Sequence, residues 1–176
     1  MCVRRCAAVL LVFLFGAPRA TAAQQQQTCA TAIPANIDAG VFAPDMIALL
    51  KRSDTFRAQC ERLGESSRVQ VKIAIAFTLP SGRAQTAIHR FADRSIRADV
   101  VLLFGENYRE LLAHEFEHVL EQVDGVDLRR EAAEGRAWLL PGGAFETRRA
   151  FVTGVQVLRE AESMHAHAPA AMPPTR

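Results

Sequence analysis

The chain has 176 residues, about half of them apolar, which suffices for one domain with its own core and is too few for two large ones. Its formal charge of +2 owes its basic excess to the first 23 residues: they carry Arg4, Arg5 and Arg19, three of the 21 basic residues, and none of the 19 acidic ones, leaving 18 against 19. A balance that close to neutrality gives nucleic acid or an anionic membrane no electrostatic reason to bind.

Residues 1–23 read as a signal peptide: a basic start, the apolar block "AAVLLVFLFGA", and small residues at Thr21, Ala22 and Ala23 that suit a signal peptidase. The block, about 11 residues long, is too short to span a bilayer as a helix, which favours a cleaved leader over a retained anchor. The mature protein is therefore expected to be exported, periplasmic or secreted, with no stable membrane association. Cys2 and Cys6 leave with the leader. Cys29 and Cys60 remain, and an oxidising compartment predicts a disulfide between them, with two buried free thiols as the alternative.

Residues 24–42, which include "QQQQT", read as a polar N-terminal lead-in. A single domain is expected over 43–163. Met46, Leu49, Leu50, Phe56, Cys60 and Leu63 recur at helical spacing between Ala43 and Leu63, with an N-cap signal at Ser53-Asp54 that can divide the segment into two helices. In "RVQVKIAIAFTL" the period changes to two: Val69, Val71, Ile73, Ile75 and Phe77 alternate with Gln70, Lys72, Ala74 and Ala76, as in a half-buried strand. "LPSGR" is a turn, "AQTAIHRFA" (Ala84 to Ala92) a weaker strand, and "ADVVLLFG" (Ala98 to Gly105) a strand covered on both faces. Strands so close together predict a small, mainly antiparallel sheet.

Beyond Gly105 the pattern is helical: a helix from about Asn107 to Val123, a short one in "VDLRREAAEG", a turn at "LLPGGAF", and a last helix from near Ala144 to about Ser163. Residues 164–176 are Pro/Ala-rich and read as a disordered tail. Helix, strands, then helices make an α+β layout, with the sheet packed against an N-terminal helix, a central helix and a C-terminal helix.

The central helix carries the chemistry. Leu112, Phe116, Val119, Leu120 and Val123 share one apolar stripe, while His114 and His118 fall on nearly the opposite side, one turn apart. Glu115 lies between that face and the stripe; Glu117 and Glu121 lie on the other flank, where solvent is expected. His114-Glu115-Phe116-Glu117-His118 is an H-E-x-x-H pattern. Neutral imidazoles leave Zn²⁺ its full charge to acidify a water, and a carboxylate beside that water can accept its proton. Two histidines on a helix face can also be solvated residues with no metal at all.

A catalytic zinc takes a third protein ligand and keeps one position open. His89 sits in a weak strand, His165 and His167 lie in the tail, and no cysteine follows Cys60. Glu121 and Asp124 stand where the extended pattern needs a glycine and a third histidine. A downstream carboxylate remains: Glu131, Glu134 or Glu146. Glu146 is favoured, because Ala150, Thr153, Gly154 and Val157 follow it on one helical face, small or apolar, where a buried carboxylate needs a cationic partner. Glu131 and Glu134 sit in a charged, solvated helix, and Glu146 could itself be an ordinary first-turn acid.

"HEFEHVLEQVDG" followed, 28 residues after its second histidine, by "FETRRA" resembles the gluzincins, zinc metallopeptidases with two histidines and a glutamate on a following helix. Length and element order are most similar to the minimal members called minigluzincins, over about Ser67 to Glu162. The resemblance implies a zincin-like fold, a Zn²⁺ cofactor held by His114, His118 and Glu146, Glu115 as catalytic base, and a peptide or protein substrate held along a sheet edge, for which "DVVLLFG" is the candidate strand. The acidic residue often found four positions after the third ligand is Ala150 here. The alternative is an inactive, zinc-binding interaction domain of the same fold, and a third reading is a structural domain without metal. Tyr108, the only tyrosine, is a candidate transition-state stabiliser or a structural residue at the helix start.

Overall fold

Alternation in the first long strand decides how the sheet is covered. The computed structural model describes residues 32–80, 82–140 and 143–163; the leader, Cys29 and the tail histidines lie outside them. The elements run β1 (Ile37–Asp38), a 3-10 turn (Gly40–Phe42), α1 (Ala43–Arg52), α2 (Asp54–Glu65), β2 (Val69–Ala76), β3 (Ala84–Arg90) and β4 (Ile96–Leu103). Then follow α3 (Tyr108–Val123), α4 (Leu128–Ala133), β5 (Ala137–Leu139), β6 (Phe145–Thr147) and α5 (Arg148–Ser163). Val69, Val71 and Ile73 are buried while Gln70 and Lys72 are exposed; β4 repeats this with Ile96, Ala98, Val100 and Leu102 buried. One face of the sheet therefore carries the core and the other meets water.

The α+β layout expected from the sequence is present, but the sheet is mixed rather than mainly antiparallel. Its order is β1-β2-β4-β3, with β1–β2 and β2–β4 parallel and only β3–β4 antiparallel. A short link after β2 suggests a hairpin when it is read locally. Instead the link 77–83 crosses the end of β4: the Phe104 N–H donates to the Ala76 carbonyl and the Leu103 N–H to the Arg83 carbonyl. Two strand spacings are only about 10 Å, which a few extended residues span. The chain then turns back and β4 inserts between β2 and β3, so β3 itself serves as the crossover that a parallel pair requires. Two consequences correct the sequence reading. β4 is interior, so "DVVLLFG" has no free edge to offer a peptide; the long open edge is β3. Segment 33–42, read as polar lead-in, supplies β1 and the buried residues Ile37, Ala39 and Phe42. A two-residue strand is too short to show a period.

The helices close the core. Ser53 divides α1 from α2 where the N-cap signal falls, its hydroxyl accepting from the Phe56 N–H at 3.0 Å. Phe56 of α2 stacks on Phe116 of α3 with ring centroids 5.6 Å apart. Tyr108 has a structural place: its hydroxyl accepts from the Gly105 N–H at 3.1 Å and its ring meets Phe42 edge-on at 4.8 Å. Cys60 is buried as a free thiol, and burial pushes its pKa up to about 12; its expected partner Cys29 is outside the described residues. Among the described residues no helix is long and apolar enough to cross a membrane.

The last helix sets the distance across the site. Its buried stripe is Ala150, Gly154, Val157 and Ala161. A Cβ at Gly154 would stand 3.0 Å from the Glu110 carbonyl oxygen and 3.2 Å from the His114 Cβ, so α5 touches the backbone of α3 beside the first histidine.

Candidate metal centre

Asn107 caps α3, its side-chain oxygen accepting from the Arg109 N–H at 3.3 Å, and the helix then runs unbroken through the H-E-x-x-H segment. With both histidines on adjacent turns, their rings lie with centroids 5.0 Å apart and planes 77° to each other. Each is mostly covered. The carboxylate of Glu146 faces both: its Oε2 lies 3.1 Å from His114 Nε2 and its Oε1 3.5 Å from His118 Nε2. One donor atom from each of the three residues lies within 4.8 Å of the others, an arrangement that could hold a metal ion.

Glu146 therefore arrives where it was expected, but not on a helix. It lies on β6, in a two-stranded ribbon with β5, and α5 begins only at Arg148. The ribbon's register pairs Ala137 with Thr147 and Trp138 with Glu146. Ala137 and Thr147 are buried, so the alternate pair faces the other way, and Glu146 reaches the imidazoles from a strand.

Glu117 and Glu121, expected in solvent, are both buried. The reason is α5, whose close approach covers that flank of α3. Glu117 accepts from Arg149 Nε at 2.5 Å and from Gln59 Nε2 at 2.6 Å, a buried charge with a cation and an amide to hold it. Glu121 is 1% exposed and has a different pair of neighbours: His118 Nδ1 at 3.0 Å and the Thr147 hydroxyl, which donates at 2.6 Å. The Thr147 oxygen in turn accepts from the Ala150 N–H at 3.0 Å, so one hydroxyl ties the start of α5 to the carboxylate behind His118. Ala150 is buried and has no polar side chain to offer. The task of orienting an imidazole falls to Glu121, one helical turn past the second histidine.

Charge follows geometry. Burial pushes the His118 pKa down, but the hydrogen bonds to Glu121 and Glu146 and the charge of Glu115 overcome it and raise the value to about 10. Burial would raise the Glu146 carboxyl, yet the two imidazoles beside it hold it below the usual carboxylate range. Ionised carboxylates that stabilise a positive charge on the imidazole so firmly are placed to attract another cation in its stead.

Glu115 points elsewhere. It is 5% exposed, and the Thr86 hydroxyl on β3 donates to its Oε2 at 2.5 Å. Burial raises its carboxyl above the ordinary range against the pull of Thr86 and of both histidines. Glu115 thus lies between the imidazoles and the open edge of the sheet.

The other candidates are engaged at the surface. Glu131 accepts from Arg136 at 2.6 and 2.8 Å, Glu134 accepts from Arg130 at 2.9 Å and pairs with Arg136, and exposed His89 lies 3.2 Å from Asp99. Sequence reasoning missed Glu121, Thr86 and Thr147. Only Glu121 left a trace, as an acid three residues after a histidine on the same helix. Compared with family models, with curated proteins and with solved structures, the chain matches none.

Proposed function

We propose that the protein is an exported zinc metallopeptidase with a zincin-like catalytic domain, in which His114, His118 and Glu146 hold the metal and Glu115 is the general base. The observation that carries this reading is the donor set: imidazole nitrogens and a carboxylate from two separate elements, with atoms mutually within 4.8 Å, and the far nitrogen of His118 tied to Glu121. Two imidazoles and one carboxylate suit zinc, and three protein donors are the number a catalytic zinc takes when one position stays open. Bound there, zinc would supply a Lewis acid that acidifies water and polarises a carbonyl.

The chain's own side chains would do the rest. Glu121, 3.0 Å from Nδ1 of His118, holds that ring in one orientation with Nε2 turned toward Glu146, where a bound metal would take the place of the Nε2 proton. Thr86 holds Glu115 Oε2, leaving Oε1 to take the proton of the attacking water. As the carbonyl carbon gains the water oxygen and its C–N bond breaks, the same proton passes from Glu115 to the departing nitrogen. The open edge of β3, which carries Thr86, is the strand along which an extended peptide could add by backbone hydrogen bonds.

Metal analysis of the purified mature chain, beside a His118→Ala variant, tests the site: about one equivalent of zinc in the first and none in the second. Glu115→Gln should then retain zinc and lose hydrolysis of a mixed peptide pool. Zinc bound by a wild type that cleaves nothing in a broad pool would favour the zinc-binding interaction domain instead.

A further inference from the structure

We propose that Trp138 forms an aromatic wall of this site and selects peptides carrying a large apolar side chain next to the scissile bond. The inference rests on the metallopeptidase reading and names its substrate class.

Trp138 lies directly opposite Glu146 in the β5–β6 ribbon. Residues paired in this way have Cβ atoms about 4.5–5.5 Å apart and project from the same face. Ala137 and Thr147 are buried on the inward face, so the indole shares its face with the carboxylate that meets both histidines. It is 45% exposed, and its N–H has no protein partner among the described residues. An indole in this position offers a broad apolar surface next to a polar centre, with one donor to spare. Arg136, two residues before it in the chain, is engaged with Glu131 and Glu134. An aromatic or long aliphatic side chain is the group this wall can desolvate, and a small or charged one gains little from it.

Trp138 is the only tryptophan in the chain, so its emission reports the site without interference. Titrating the chelator-treated full chain with Co²⁺ should quench that emission in a curve saturating near one equivalent. Zn²⁺ should produce a smaller change with the same stoichiometry, and His118→Ala should abolish both. Unchanged emission while metal analysis records binding would overturn the placement of Trp138.

The second measurement compares peptides with Phe or with Ala beside the cleaved bond. Trp138→Ala should reduce the wild-type preference for Phe by about tenfold or more, chiefly through KM, and Trp138→Phe should restore most of it. An unchanged preference in Trp138→Ala sinks the specificity role and leaves the peptidase reading intact. A wild type that binds metal and cleaves neither peptide sinks both.

Discussion

Two carboxylates bracket α5, Glu146 on β6 just before it and Glu160 in its last turn, and they are held in opposite ways. At the C-terminal end Glu160 is saturated with donors: the Ser53 hydroxyl at 2.5 Å, the Thr55 hydroxyl at 2.7 Å, the Thr55 N–H at 3.1 Å and the Gln156 amide at 2.7 Å. Nothing more is needed to satisfy it, and its effect is to cap α2 from a distance. At the N-terminal end Glu146 accepts one backbone N–H, from Thr147 at 2.8 Å, and otherwise faces two imidazoles that can be cations or ligands. A carboxylate whose lone pairs are all occupied by neutral donors is a joint. One left facing imidazoles is a place for a cation.

Substitutions can separate the two ends. The largest effect belongs to the chemistry beside Glu146: Glu115→Gln should lower kcat by about 10²–10⁴-fold with metal content unchanged. Next is the residue behind His118. Glu121→Gln should weaken metal binding by about 10–100-fold, read by competition with a chelator, since the imidazole loses the carboxylate that orients it. At the other end Glu160→Ala should cost about 1–3 kcal/mol in denaturant unfolding, with metal stoichiometry intact, because several buried or half-buried donors lose their acceptor. The mildest test is acid. Burial alone would raise the Glu160 carboxyl, but Ser53, Thr55 and Gln156 hold it below its usual range. The stability difference between wild type and Glu160→Gln should therefore be full above the ordinary carboxylate pKa and close as the pH falls through the lowered folded value. A difference that widened on acidification would mean that the carboxylate is not the group that matters at that joint.

Much of the candidate site was legible because α3 is long enough to carry a period. His114, His118 and Glu115 sit on the faces a helical wheel assigns them, and the cap at Ser53 lies where its side chain predicts. Glu146 does face both histidines, but from a strand and not from the helix expected. Three residues, Phe145–Thr147, cannot declare a strand, and the helical face read ahead of it belongs to α5, which starts two residues later. A wheel gives an angle and not a neighbour. Glu117 and Glu121 point where the wheel puts them, but α5 covers that direction and makes both interior. Pairing order in the sheet is less local still: no property of β3 or β4 alone says that β4 will insert between β3 and β2.

The missing side chain at position 154 has a consequence for tuning the protein. Adding one methyl there should favour helix formation by up to about 1 kcal/mol, since glycine is a poor helix former. The same methyl would press on the Glu110 carbonyl and the His114 Cβ, and one of the two helices would have to yield by a few tenths of an ångström. Sites of this kind tolerate errors of only about 0.5 Å. Gly154→Ala is thus expected to lose at the α3–α5 seam what it gains in helix propensity and, on the proposed metal reading, to bind zinc less tightly, so that sturdiness and chemistry are set together at one position.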